Sequence, residues 1–214
     1  MNASTIHEEP RWPASLALVA CVALYVALSN RVVIGPRWLV PGLIVALLLP
    51  LSFKRHRRAD DPLWVRRLTL TLIATVTVAN VVSVALLVHH LLEAHVSQGR
   101  SLVYSAASLW LTNVIIYGLW FWEIDRGGPH IRASDTAHVN DLQFPQMENP
   151  GLAPATWRPQ FIDYLYTSFA NGTSFAPADA MPLTPRMKAL FASESVVSLV
   201  TIAIVAARAV NILN

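Results

Sequence analysis

Charged residues are scarce in this sequence. Lysine, arginine, aspartate and glutamate make up only 14% of its 214 residues, whereas 54% are apolar, and the mean hydropathy is +0.46. An ordinary soluble domain carries about 25% charged residues. The composition therefore excludes a typical soluble protein, and its long apolar runs predict an all-α integral membrane protein.

Cysteine is almost absent as well. Cys21 is the only one, which excludes an internal disulfide and a cysteine-based zinc site. The segment Leu18–Cys21 resembles the lipobox of bacterial lipoproteins, but seven apolar residues follow it, so a buried thiol in a membrane helix is the favoured alternative. The apolar run Ala14–Leu28 has no small-residue cleavage site, and Glu8 and Glu9 precede it, so we expect no cleaved signal peptide.

Catalytic motifs are also missing. The sequence has no phosphate-binding glycine pattern and no serine, histidine and aspartate arrangement typical of a nucleophile. Two groups of residues could bind a metal ion: His89 with Glu93, and His130 with Asp135 and His138. The first group lies at a helix end and the second in a polar loop, so solvated side chains are the favoured interpretation of both. We therefore expect neither an enzyme nor a bound metal or cofactor.

Apolar segments alternate with polar ones and give about five transmembrane helices. The predicted parts are an N-terminal tail, a four-helix transmembrane scaffold, a polar proline-rich loop, and a C-terminal unit that contains the last span. They cover residues 1–11, 12–122, 123–159 and 160–214, and the scaffold spans are about Trp12–Ser29, Trp38–Phe53, Leu68–Leu92 and Leu102–Trp122.

Basic residues flank these apolar segments, and the densest group is Lys54–Arg67, between the second and third spans. The net charge is +3, which orientation in the membrane explains better than a nucleic-acid partner does. Summing lysine and arginine loop by loop predicts a multi-pass protein of the cell membrane, with its amino terminus in the cytoplasm and its carboxyl terminus outside.

The C-terminal unit begins with an aromatic segment, Pro159–Ala170, that is shorter than the about 20 residues of a membrane span. It runs into Gly172, Ser174 and Pro177, which suit a loop held between helices at membrane depth. We predict a re-entrant half-helix and loop here, before a final transmembrane helix that is apolar over Ala189–Ala207.

One acidic residue, Glu194, interrupts the final helix. Ser198 and Thr201 follow it by four and seven residues, which places all three on one helix face. A carboxyl group inside a membrane helix is a functional candidate, because burying its charge costs several kcal/mol. The alternative is a structural carboxylate that reaches the interface or pairs with Arg186 or Lys188.

The stretch Ser168–Thr184 resembles the pore module of potassium-selective channels. In that family a Ser-Phe pair near the end of a short pore helix is followed, ten residues after the Phe, by the Asp that closes the filter, and then by Pro-x-Thr and the inner helix. Phe169 and Asp179 have this separation, and a Pro-x-Thr triplet ends at Thr184. The resemblance implies a pore loop, but alanine and proline replace the filter glycines, so it does not imply potassium selectivity.

Most of the chain is also similar to a family of predicted bacterial integral membrane proteins of unknown function. That pattern combines an N-terminal hairpin, an Arg-rich loop, two more spans, and a Tyr-x-x-Phe-x-x-Gly-x-(Ser/Thr)-Phe-x-x-x-Asp stretch before the last helix. The resemblance implies an architecture and no established activity. The matching residues are Tyr166, Phe169, Gly172, Ser174, Phe175 and Asp179, and Ala209–Ile212 closes the chain.

Together these patterns predict an oligomeric pore-loop protein that conducts a small cation, with the lipid bilayer and further copies of itself as partners. The alternatives are a transporter or accessory subunit without a pore of its own, and a membrane interaction protein. In potassium channels the loop enters from outside, whereas the charge count here puts its entrance inside. The expected constriction residues are Thr173, Ser174, Phe175 and Asp179, and Glu194, Ser198 and Thr201 are expected to face an aqueous vestibule.

Overall fold

The computed structural model describes residues 12–28, 32–33, 36, 38–52, 63–93, 99–133, 139–154, 157–176 and 180–213. Helices dominate this part of the chain, and the strands within it form one short antiparallel pair. The helices are α1 (Trp12–Ala27), α2 (Leu39–Ser52), α3 (Leu63–Glu93), α4 (Gly99–Ile124), α5 (Pro129–Ala133), α6 (Pro145–Glu148), α7 (Phe161–Ser174) and α8 (Pro185–Leu213), with 3-10 turns at Asp125–Gly127 and Pro150–Leu152, and the strands are β1 (Leu142–Gln143) and β2 (Met181–Pro182).

Three of the described helices are long and apolar enough to cross a membrane. They cover Trp64–Leu91 in α3, Val103–Gly127 in α4 and the turn after it, and Pro185–Ala207 in α8. Helices α1 and α2 are apolar but only 16 and 14 residues long, about 24 and 21 Å. The all-α class is thus confirmed and three helices fit a membrane, whereas the total of about five spans stays a prediction.

Helix α4 lies at the centre of the bundle and packs against α1, α3, α7 and α8. Trp120 of α4 donates a hydrogen bond from Nε1 to Thr77 Oγ1 of α3 at 2.9 Å. Phe121 of α4 stacks on Phe191 of α8, with 4.4 Å between ring centroids. Since neighbours cover α4 on several sides, it buries polar residues such as Asn113 together with apolar ones, as interfaces between membrane helices do.

The segment 123–159, predicted as a polar loop, is folded in much of its described part. It contains α5, β1 and α6, and β1 pairs with β2, which directly precedes α8. Phe144 is buried and meets Trp157 and Tyr164 edge to face, with 5.9 and 5.4 Å between ring centroids. Aromatic packing and the strand pair therefore hold the segment against the beginnings of α7 and α8.

Two fully buried acids, Asp125 and Asp141, join these elements, and we call them the Asp125–Asp141 clamp. The Oδ2 atom of Asp125 accepts a hydrogen bond from the Tyr164 hydroxyl of α7 at 2.7 Å. Asp141 accepts from Arg186 Nε at 2.7 Å, Arg186 Nη2 at 2.6 Å and Thr184 Oγ1 at 2.6 Å. Burial alone would raise the pKa of Asp141, but the hydrogen bonds from Arg186 and Thr184 outweigh burial and lower it.

Helix α7 is short and is capped at both ends. A capping box starts it, in which Asp163 Oδ2 accepts from the Gln160 backbone N–H at 2.7 Å. Phe175 ends it in the left-handed conformation, with φ of 57°, and its N–H donates to the Asn171 carbonyl at 2.9 Å. The predicted break before the last helix is therefore present. The chain then returns to the clamp, where the Leu183 N–H donates to the Asp141 carbonyl at 2.9 Å.

Candidate functional site

A buried polar junction forms where α7 and α8 meet on α4, and its centre is Glu194. The Glu194 side chain is fully buried, about ten residues into α8. Its Oε1 atom hydrogen bonds with the Ser168 hydroxyl, and its Oε2 atom accepts from Asn171 Nδ2 at 2.8 Å. Both partners lie on α7, and in the described part of the chain no basic side chain contacts the Glu194 carboxyl.

Asn113 of α4 completes the junction from the opposite side. Its Nδ2 atom donates to Ser198 Oγ at 3.1 Å and lies 3.3 Å from the Glu194 carbonyl. Asn171 also donates to the Phe191 carbonyl at 3.1 Å. Side-chain amides and hydroxyls thus tie three helices together, two of which, α4 and α8, are long and apolar enough to cross a membrane. Hydrogen bonds of this kind stabilise packing between membrane helices.

Glycine permits the close approach of these helices. A Cβ atom on Gly172 of α7 would lie 3.1 Å from Ser198 Oγ and 3.4 Å from Val114 Cγ2. A Cβ atom on Gly118 of α4 would lie 3.1 Å from the Leu165 Cα atom. A larger residue at Gly118 would press on the backbone of α7, whereas one at Gly172 would have to displace side-chain atoms of α4 and α8. Small residues are expected at such an interface between membrane helices.

The final helix has the polar face that its sequence predicts. Glu194, Ser198 and Thr201 are 0%, 0% and 1% exposed, whereas Val196 and Leu199 on the other side are 61% and 54% exposed. The three polar side chains are enclosed by the rest of the chain. They do not line an open surface, and their expected contact with an aqueous vestibule stays a prediction.

The predicted constriction residues lie elsewhere, at the C-terminal end of α7. Thr173, Ser174 and Phe175 are all exposed. The Thr173 hydroxyl donates to the Phe169 carbonyl at 2.8 Å, and the Ser174 hydroxyl donates to a carbonyl one turn back at 2.6 Å. We call this exposed end, residues 173–176, the α7 tip. Asp179 lies outside the described residues, so the candidates fall into two separate places.

Sequence reasoning missed Ser168 and Asn171 as site residues. They are three residues apart on α7 and lie on its buried face together with Tyr164 and Gly172. Helical spacing of these small and polar residues is the signal that could have found that face. It does not reveal that the face meets Glu194, which is far away in the sequence.

A second polar pair lies buried on α3. Asn80 and Ser83 are 2% and 0% exposed, and neither side chain has a hydrogen-bond partner among the described residues. The two residues are three apart in the sequence and therefore lie on one face of α3. Unpaired polar atoms at a buried position carry a desolvation cost.

Metal binding finds no support in the described residues, which contain no group of three or more His, Cys, Asp or Glu side chains able to hold an ion. Of the weaker candidates, Asp135 and His138 lie outside those residues.

The resemblances to potassium-channel pore modules and to predicted bacterial membrane proteins rest on the sequence pattern, and they stay predictions. The chain matches no family model, no curated protein and no solved structure.

Proposed function

We propose that this chain is a multi-pass membrane protein in which α7 is a re-entrant half-helix, and that several copies assemble around their α7 tips to pass a small cation. The observation that supports the proposal is where the segment from α7 to Leu183 begins and ends. The Tyr164 hydroxyl, on the first turn of α7, donates a hydrogen bond to Asp125, and the Leu183 N–H donates one to the carbonyl of Asp141 in the same clamp. The chain therefore leaves and rejoins one end of the bundle.

The lengths of α7 and of the chain after it support a path that enters the membrane and returns to the same side. Helix α7 has 14 residues, about 21 Å, which is less than the about 30 Å of a hydrocarbon core. The six residues 175–180 that follow it can cover at most about 20 Å when extended. A return path of that length matches the depth of α7 and leaves nothing for a second crossing.

Exposure of the α7 tip supports an assembly. Irregular backbone at membrane depth is tolerated only where protein covers it or water lines it. Ile162, Tyr166 and Phe169 form an exposed stripe along the outer face of α7, and the hydroxyls of Thr173 and Ser174 lie at its end. Neighbouring copies would cover this stripe. The α7 tips would meet around a shared axis, where hydroxyl and carbonyl oxygens replace an ion's hydration shell.

The burial of Glu194, Ser198 and Thr201 inside a single chain favours a second candidate. A transporter or accessory subunit with a broken helix at the membrane midplane has its polar site within one chain and needs no shared pore. The two candidates differ in whether the conducting residues lie at the α7 tip or at the buried junction.

Cation flux into liposomes containing the purified protein tests the proposal. Flux should appear, and Ser174→Ala and Asp179→Asn should change its rate or its selectivity, because they remove a hydroxyl and a charge from the expected constriction. Glu148→Gln is the matched control, since Glu148 is an exposed acid on α6, away from the tip, and its variant should conduct like the wild type.

Folded protein that passes no common monovalent or divalent cation would refute the pore and favour the accessory subunit. Flux that responds to Glu194→Gln but is insensitive to both tip variants would instead favour the pathway through one chain.

A further inference from the structure

The hydrogen bonds of Ser168 indicate whether the Glu194 carboxyl group carries a proton. The Ser168 hydroxyl has a single hydrogen, yet its oxygen lies 2.7 Å from the Val114 carbonyl oxygen of α4 and also within hydrogen-bond distance of Glu194 Oε1. A carbonyl oxygen only accepts, so the hydrogen between Ser168 and Val114 must come from Ser168. If that hydrogen also served Glu194 Oε1, one hydrogen would be divided between two acceptors, whereas a hydrogen on the carboxyl group gives the contact between Ser168 and Glu194 a donor of its own.

We infer that Glu194 carries a proton and that the junction of α4, α7 and α8 is a proton-binding site. The Glu194 hydroxyl donates to Ser168 Oγ, Ser168 donates to the Val114 carbonyl, and the other Glu194 oxygen accepts from Asn171 Nδ2. In this arrangement each of these contacts has one donor and one acceptor, and a fully buried group carries no net charge.

An ionised Glu194 would break this chain of hydrogen bonds. The carboxylate would draw the Ser168 hydrogen to itself, and the Ser168 and Val114 oxygens would face each other at 2.7 Å with no hydrogen between them. A negative charge would also be buried without a cation beside it, which is far costlier than burying the neutral acid.

The other titratable groups around Glu194 do not supply that cation. From α4 the ionisable neighbour is Tyr117, whose hydroxyl donates to Ser193 at 2.9 Å. The described length of α7 carries one acid, Asp163, and no basic residue. On α8 itself Arg186 is paired with Asp141 and Lys188 is exposed, and α3 approaches α8 through the valines of an apolar groove of about 380 Å³.

The proton therefore allows α7 to hydrogen bond with α4 and α8 at the same time. Its loss would remove the hydrogen bond that joins Ser168 to Val114, and so loosen α7 from α4. Whether the Glu194 carboxyl group is protonated does not depend on whether the protein conducts a cation.

Infrared spectroscopy of the purified protein at neutral pH tests it. The wild type should show the carbonyl stretch of a protonated carboxylic acid, Glu194→Gln should lose that band, and Glu148→Gln should keep it, because Glu148 is exposed on α6 and lies outside the junction. Labelling all glutamate carboxyls with carbon-13 should shift the band in the unmutated protein, so the test does not depend on how well a variant folds.

Ser168→Ala adds a second test. It removes the acceptor of the Glu194 hydrogen, so the band should persist and move to higher frequency, as expected for a weaker hydrogen bond. Absence of a protonated-acid band in the wild type, insensitivity of that band to glutamate labelling, or its survival in Glu194→Gln would each overturn the inference.

Discussion

Gly118→Ala tests how closely α4 and α7 approach each other. A methyl group at this position would lie 3.1 Å from the Leu165 Cα atom and 3.2 Å from its Cδ1 atom. The Cδ1 atom can move by a change of rotamer, but the Cα atom belongs to the backbone of α7. The methyl group therefore forces the two helices apart by a few tenths of an ångström, or forces a bend in one of them.

The magnitude follows from two opposed effects. Replacing glycine by alanine in a helix gains about 1 kcal/mol of stability through backbone entropy. Overpacking a tight contact costs about 1–3 kcal/mol. Gly42→Ala is the matched control, because Gly42 lies in α2 and an added Cβ would find no atom within 4 Å. The gain is common to both variants, so Gly118→Ala should be less stable than Gly42→Ala by about 1–3 kcal/mol.

Unfolding in mixed micelles, titrated with a denaturing detergent and followed by circular dichroism, measures this difference. The wild type should lie between the two variants or close to Gly118→Ala. A Gly118→Ala protein as stable as Gly42→Ala would refute the close contact, and with it the packing that carries Ser168 to Glu194.

Two further variants test the buried polar groups. Asp141→Asn should lower the free energy of unfolding by about 1–2 kcal/mol, because it removes the charge that accepts two hydrogen bonds from Arg186, whose side chain is 57% exposed and therefore screened by solvent. Hydrogen bonds lower the pKa of Asp141 in the folded state. The stabilisation that Asp141 provides should therefore be fully present above its pKa in the unfolded chain and be lost as the pH falls through its pKa in the folded protein. If the free energy of unfolding falls equally steeply with decreasing pH in the wild type and in Asp141→Asn, this explanation is contradicted. Ser83→Ala should leave stability unchanged or raise it by up to about 1 kcal/mol, since the Ser83 hydroxyl is buried without a partner in the described part of the chain, and a clear loss of stability would reveal one.

The end of α7 and the start of a separate final helix were predictable because local signals control them. Helix α7, Phe161–Ser174, is shorter than the about 20 residues of a membrane span, and glycine and proline lie near its end. The shared face of Glu194, Ser198 and Thr201 was predictable from helical spacing alone. Each of these signals lies within one stretch of chain and needs no knowledge of its neighbours.

The partners of that face were not predictable in the same way. Asn113 is 81 residues before Glu194, and Ser168 is 26 residues before it. No local pattern reports which helices meet, because the contact depends on how α7 folds back against α4. Predicting only the face therefore left open whether water or protein covers it.

The folded part of 123–159 was the largest difference between sequence and structure. Aspartates and prolines between two apolar segments are typical of a solvated loop. Asp125 and Asp141 are instead fully buried, because backbone amides, a tyrosine hydroxyl and an arginine satisfy their oxygens. These partners come from α7, α8, β1 and the residue before β1, so the burial of the two acids depends on tertiary structure.

The central claim is that α7 enters and leaves the membrane on one side. Single cysteines at Val139 and Met181, which are 79% and 62% exposed and flank α7 in the sequence, test it in a Cys21→Ser background. Oriented, sealed vesicles are treated with a membrane-impermeant thiol reagent from one side or the other, and the wild type serves as a blank because its Cys21 is buried. Both cysteines should be labelled from the same side, whereas labelling from opposite sides would show that α7 crosses the membrane and would contradict the account.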